Sequence, residues 1–299
     1  MTFAGLARMP ARPGTVELAR SGRVVVGEPG LLARLPRWQA SAIDAEERLL
    51  LLENRAFELL WADAAWTGGG PLAATRLRAR HAVLKTALEL AAARTLAHGE
   101  LPAGAEARVA RAMALGAPAG HPLAGPPSWL AGAWEGLEPV WREGLAWRAG
   151  DVRVVSDAVQ TASWRAVTRA WCVAWWAETG AGATDPWERA LAVAARGSLA
   201  RRLRRSLAPV PGRGAEPGPL DRLRHAVAGT PQHRIHGSAA VLMLAAAQGP
   251  GEPRLPAGAL RALHALGVTR ADHFHAAARE TFVAWDRQLH TGERAAEIA

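Results

Sequence analysis

Two short groups of residues have the types and spacing to hold a phosphate. Asn54 and Arg55 close the run Leu51-Leu52-Glu53-Asn54-Arg55, and Lys85 and Glu89 bound the run Lys85-Thr86-Ala87-Leu88-Glu89. A lysine ammonium is a compact point charge for a phosphate, and an arginine adds a planar fork of donors. Lys85 is the single lysine in a chain with 36 basic residues, all the others being arginine. The plainer reading is that Lys85 and Glu89 form an ordinary i,i+4 helix pair and that Arg55 is a solvated residue.

Nucleotidyl transfer needs more than cations. It needs a Gly-Ser loop for the triphosphate and an acid pair at i and i+2 on a strand, where both carboxylates face one side and hold Mg²⁺. Asp44 and Glu46 have that spacing, but they sit at a helix start with no Gly-Ser loop before them. Gly197-Ser198 and Gly237-Ser238 are followed by no such pair. The chain is therefore expected to hold no catalytic metal and to transfer no nucleotide alone.

Other constellations are weaker. His233 with His236, and His273 with His275 after Asp272, are metal-ligand types. Each pair falls at a loop or helix start without a defined third ligand, so solvated or capping histidines are expected. No Gly-x-Ser-x-Gly elbow is present, and the lone Cys172 lies inside a tryptophan stripe, which reads as core. The run Arg196, Arg201, Arg202, Arg204 and Arg205 surrounds its helix instead of lining one side, and no aromatic residue interleaves to stack bases.

The elements that position the first two groups are helices. Asp44, with Glu47 three residues on, caps a helix whose Leu49, Leu52, Ala56, Phe57, Leu59 and Leu60 share an apolar face, with Glu47, Asn54, Arg55 and Glu58 opposite. The chain breaks at Thr67-Gly68-Gly69-Gly70-Pro71 and returns as a second helix to about residue 96. There Arg78, His81, Lys85 and Glu89 lie within an arc of roughly 80° beside a buried stripe of Leu77, Leu84, Leu88, Ala91 and Thr95. Upstream, residues 15 to 28 alternate, turn at Ser21-Gly22 and run into Val24-Val25-Val26, which predicts a β-hairpin. One hairpin buries too little to stand alone, so it must pack on helices or on strands from elsewhere.

Downstream, a short helix near 103 to 115 and the breaker-rich segment 116 to 128 lead to helices near 129 to 148, 152 to 178 and 185 to 207. Trp164, Trp171 and Trp175 recur on one helical face, which predicts a packed interface. A loop over 208 to 220 and shorter helices near 220 to 228, 233 to 247, 257 to 265 and 270 to 290 complete the chain.

Composition bounds these readings. The 299 residues are 49% apolar and carry a net charge of +9, which suits one large or two small folded domains and excludes a disordered chain. The arginine excess, with no tyrosine, reads as codon bias with arginines exposed on the surface. A single cysteine excludes an intrachain disulfide and a cysteine zinc cage. The start, MTFAGLARMPARPG, lacks the apolar core of a signal peptide, and no run reaches the 18 or so apolar residues that span a bilayer, so a soluble cytoplasmic protein is expected.

In order and spacing these pieces resemble the helical C-terminal region of bacterial nucleotidyltransferase-family proteins of the polymerase-β-like fold. The matching stretches are Glu17-Leu18 through Ser21-Gly22-Arg23-Val24 to Gly27-Glu28-Pro29, then Leu51 to Arg55, then Lys85 to Glu89, with Gly229-Thr230-Pro231 later. The resemblance implies that Asn54, Arg55, Arg78, Lys85 and Glu89 line a cleft facing a catalytic palm domain and touch the phosphates of a nucleotide. Met1 falls where that palm should be ending. The expected partner is thus a separate palm domain, with Mg-nucleotide bound only in its company and nucleic acid not expected. A second helical class, ribonuclease-like, pairs an Arg and a His on one helix; Arg94 and His98 match it only by a coincidental i,i+4 spacing.

The expectation is a mainly α protein, a multi-helix bundle of packed helical hairpins with a small N-terminal β-hairpin. Its parts are a hairpin stub over 1–40, a helical hairpin domain over 41–115 and a larger helical domain over 128–299. The function expected is the non-catalytic helical part of a nucleotidyltransferase-like protein. The alternatives are an active enzyme whose product begins upstream of Met1, and a helical interaction module without ligand chemistry.

Overall fold

The structure, a computed structural model, describes residues 8–67, 73–115, 126–180, 183–195, 231–249, 254–269 and 273–289. The arginine run from Arg196 to Arg205, the loop over 208–220, the helix near 220–228 and most of the breaker-rich segment lie outside the described residues. Ten α-helices are described: α1 (Pro13–Ser21), α2 (Ala45–Thr67), α3 (Ala73–Leu96), α4 (Ala105–Ala114), α5 (Glu138–Arg148), α6 (Asp157–Glu178), α7 (Pro186–Ala194), α8 (Pro231–Gln248), α9 (Ala257–Leu266) and α10 (Phe274–Leu289). Among the described residues the only β pairing is an isolated antiparallel bridge between Arg254 and His273. None of the described helices is long and apolar enough to cross a membrane.

The fold is centred on α2, which packs against α3, α6, α8 and α10. Its start is set by Asp44, whose carboxylate accepts the Glu47 amide at 2.8 Å and satisfies one of the donors a helix start leaves open. Leu52, Ala56, Phe57, Leu59 and Leu60 are buried, as their spacing predicts. The predicted tryptophan stripe of α6 meets this helix in an antiparallel register. The Trp171 indole donates to the Leu52 carbonyl at 2.7 Å and the Trp164 indole to the Leu59 carbonyl at 2.9 Å, so two seven-residue spacings run in opposite directions along one seam. Arg48 grips Glu178 farther along, with 2.9 Å to each carboxylate oxygen. Burying an indole without a partner for its N–H would cost about 1–3 kcal/mol, so the carbonyls fix both the depth and the register of the rings.

The same device ties α5 to α3, where the Trp141 indole donates to the Ala87 carbonyl at 2.7 Å. On α8, Gly237 is helical, so Gly237-Ser238 is no phosphate loop. A Cβ there would lie 2.7 Å from the Ala194 Cβ of α7, which explains the glycine as a close approach of two helices.

The expectation of an N-terminal β-hairpin is corrected. Pro13 at the first turn suits a helix, and the Thr15 hydroxyl accepts the Arg12 amide at 2.8 Å as a start signal. Helical spacing puts Val16 into a small core with Ile43, Leu96 and Leu101, and lets Arg20 reach the Leu101 carbonyl at 2.7 Å. The valine run that suggested a strand has no strand to pair with among the described residues: Val25 is 93% and Val26 91% exposed.

Arginine is not only a surface residue here. Arg80 of α3 is buried, pairs with Glu143 and reaches Gln160 at 3.0 Å, so one cation joins α3, α5 and α6. Arg189 lies 3.7 Å over the Trp176 ring and donates to the carbonyls of Gly180 and Ala183, each at 2.9 Å, closing the end of α6; burial lowers its pKa.

Candidate functional site

Arg55 and Lys85, two of the five residues singled out for phosphate binding, come together across the α2–α3 seam. Both reach one carboxylate: Arg55 pairs with Glu58, and Lys85 Nζ lies 3.0 Å from the same Glu58 oxygen. The second Glu58 oxygen and Arg55 Nε are buried with no hydrogen-bond partner among the described residues. Asn54 and Glu89 are half-buried beside this cluster, and Arg78 is exposed two turns before Lys85. Glu58, three residues after Arg55 on the same polar face, is thus the group that decides what the two cations can do. A carboxylate within hydrogen-bond reach of both is an anion with which a phosphate at this place would compete.

The Arg94–His98 spacing carries no site. Arg94 lies 4.7 Å over the Trp134 ring and donates to the Leu115 carbonyl, while His98 is exposed. Burial pushes the Cys172 thiol up in pKa, which removes it as a nucleophile. His236 is not the solvated residue expected. Its Nδ1 lies 2.8 Å from Glu53, both side chains are 2% exposed, and Phe57 packs between it and Trp285 with ring centroids at 5.4 and 4.8 Å. No group of three or more metal-ligating side chains occurs among the described residues.

A cleft of about 420 Å³ opens where the C-terminal half of α2 meets α6, α8 and the first turn of α10. Its floor is apolar. Trp164, Leu255 and Phe274 are buried there, with the Trp164 and Phe274 rings edge to face at 6.4 Å. The indole bond to the Leu59 carbonyl keeps the Trp164 ring in place. Polar groups stand around this floor: Asp63 and Thr67 from α2, Thr161 and Arg165 from α6, Gln248 from α8, and Arg254 and His275 from the α9–α10 side. The Arg254–His273 bridge ties the strand-like segment before α9 to the start of α10, which brings Arg254 and His275 to one rim.

His275 Nδ1 lies 3.1 Å from Asp63, across 212 residues of sequence. The Asp63 side chain is 15% exposed and that of His275 55%. The hydrogen bond that His275 donates to Asp63 raises the His275 pKa, with the Asp63 charge adding to the effect, against the lowering due to burial. His275 also borders a second, shallower groove of about 720 Å³ with His273, Arg279 and Glu280. Glu280 there is engaged by Thr269, accepting from its amide at 3.0 Å and from its hydroxyl at 3.0 Å.

An apolar floor with a few convergent polar groups, in a volume within the ~300–1,000 Å³ of small-molecule sites, is the form a ligand pocket takes. Among the described residues Asp63 is the only carboxylate on the lining, where it is engaged by His275, and Arg165 and Arg254 make no ion pair. The arrangement can hold an anion whose remaining body is apolar or aromatic. None of Asp63, Arg165 and Arg254 carries a sequence signal, and His275 was readable only as a member of a histidine pair. No family model, curated protein or solved structure matches this chain.

Proposed function

We propose that this chain is a helical binding protein for a phosphate-bearing ligand of the nucleotide class, held in the cleft between α2, α6, α8 and α10. One observation carries the reading: Arg165, Arg254 and His275, exposed residues of three different elements, line one cleft around a buried aromatic floor of Trp164 and Phe274. Guanidinium and imidazolium groups suit phosphate oxygens, and the floor suits a base or another flat apolar body. The nucleotide class is taken from the resemblance of the Leu51–Arg55 and Lys85–Glu89 stretches to nucleotidyltransferase-family helices, which itself places the phosphates at those stretches and not at this cleft. In that setting nucleotidyl transfer belongs to a palm-domain partner that supplies the acid pair and its Mg²⁺.

Isothermal calorimetry with nucleoside triphosphates, with and without Mg²⁺, tests the reading. A saturable heat is expected that inorganic phosphate competes away and that a nucleoside without phosphate does not reproduce. If the heats with nucleotide and nucleoside are alike, or if neither saturates, the cleft is not a phosphate site.

A further inference from the structure

We infer that the Asp63–His275 pair makes this cleft a phosphoesterase site, with His275 giving a proton to the leaving oxygen of a phosphate monoester. The inference rests on the ligand reading above and adds a reaction to it.

Asp63 takes the hydrogen of His275 Nδ1 at 3.1 Å, which leaves Nε2 as the free ring nitrogen. A carboxylate on one nitrogen holds an imidazole in orientation and tautomer while the other nitrogen moves a proton. The exposures match that division of labour. Asp63 is largely covered and anchored on α2, whereas the His275 ring is more than half exposed. His275 is also the one residue bordering both the cleft and the adjoining groove, so it stands where a phosphate in the cleft meets water in the groove.

Two guanidinium groups, Arg165 and Arg254, line the same cleft. In phosphoryl transfer, charge spreads over the non-bridging oxygens, and fixed cations aimed at those oxygens are the main source of stabilisation. Among the described residues Asp63 is the one carboxylate on the cleft lining. The buried floor of Trp164, Leu255 and Phe274 gives the apolar part of the ester a surface to rest on, while the cations stand at the solvent-facing rim.

In the reaction, water attacks phosphorus as the bond from phosphorus to the ligand's alcohol oxygen breaks. The His275 imidazolium gives its Nε2 proton to the departing oxygen, the attacking water leaves with its protons as part of the released phosphate, and the ring regains a proton from that phosphate or from solvent. Ester and water become alcohol and inorganic phosphate, with no oxidant or reductant. Because the transition state is loose, the water needs little help from a base, and the proton on the leaving oxygen matters most.

The test measures phosphate release from a nucleoside 5′-monophosphate and from p-nitrophenyl phosphate, alongside calorimetric binding of the same nucleotide. Wild-type protein is expected to turn over both. His275→Ala should lose about 100-fold or more on the nucleoside ester, in the range of a general acid, and far less on p-nitrophenyl phosphate, whose phenolate leaves without a proton. Asp63→Asn should move the alkaline limb of the pH profile to lower pH, because His275 then gives up its proton sooner. The exposed position of His275 makes loss of folding an improbable cause, and an unchanged melting curve for His275→Ala checks it. Nucleotide binding without phosphate release overturns the inference and leaves the binding reading standing. Equal losses on the two esters, or an unmoved alkaline limb, overturn the role given to His275. Absence of binding removes both.

Discussion

The α2–α3 polar face and the cleft at the far end of α2 are built from the same kinds of residue, yet their charges are partnered in opposite ways. On the face, Arg55 and Lys85 both lean on Glu58, so the cations already have their anion. In the cleft, the one lining carboxylate holds His275, and Arg165 and Arg254 make no ion pair among the described residues. On the face the cations join two helices through a shared carboxylate, while in the cleft two guanidinium groups stand at the rim of an apolar floor without an ion pair among the described residues. A phosphate entering the face would first have to displace a carboxylate from two cations, whereas a phosphate entering the cleft only exchanges water. Residue type and spacing pointed to the face; partnering points to the cleft.

The largest effect should come from removing the available cations. Arg165→Ala combined with Arg254→Ala is expected to weaken nucleotide binding by about 100-fold or more, since a hydrogen bond to a charged group is worth about 1.5–3 kcal/mol. Arg55→Ala combined with Lys85→Ala should change affinity less than about threefold by the same titration, within the small worth of a partly exposed ion pair. The reverse ranking would break the comparison and return the site to α2–α3.

Removing the shared carboxylate should convert one region toward the other. Glu58→Gln leaves Arg55 and Lys85 side by side without their anion, and is expected to cost about 1–2 kcal/mol, below the cost for a fully buried pair because Lys85 is 40% exposed. Thermal melting should then fall by roughly 2–5 °C, and the face should gain a weak heat with inorganic phosphate. An unchanged melting temperature with no new heat would mean that Glu58 is not what restrains these cations.

The contrast also explains what the sequence disclosed. Asp44 as a cap, the apolar stripe of α2 and the Trp164–Trp171 spacing follow from periodicity and local hydrogen bonding, and each forms where expected. The valine run near residue 25 misled because β-branched residues favour strands only where a partner strand exists, whereas Pro13 and Thr15 acted locally to start a helix. Arg55 and Lys85 were legible as a pair because both lie on predictable helix faces, but Glu58 as their shared acceptor needed the crossing of α2 and α3. The cleft was not legible at all. Its key bond joins Asp63 to His275 across 212 residues, and Arg165 and Arg254 arrive from two further elements. No spacing rule spans such distances, so packing alone assembles the group.

The smallest expected effect separates the two regions by pH. The hydrogen bond that His275 donates to Asp63 raises the His275 pKa above its ordinary value of 6.5. The folded state therefore favours the protonated ring; that contribution is full below the ordinary value and is lost as pH rises through the raised one. A bound phosphate adds in the same direction, so nucleotide affinity should decline as the ring gives up its charge above its ordinary pKa of 6.5. A terminal phosphate loses its own second proton, near pH 6, and binds more tightly for it. The ligand's titration is common to every variant, so the difference between wild type and Asp63→Asn isolates the ring. With His275 half in solvent the difference should be modest, and calorimetry at constant ionic strength as pH rises through the titration of the ring measures it. The wild-type affinity should fall more steeply than that of Asp63→Asn toward high pH, while Lys85→Ala should follow the wild-type slope. If all three slopes coincide, His275 does not face the ligand, and the cleft becomes, like the α2–α3 face, a place where charges meet each other instead of a guest.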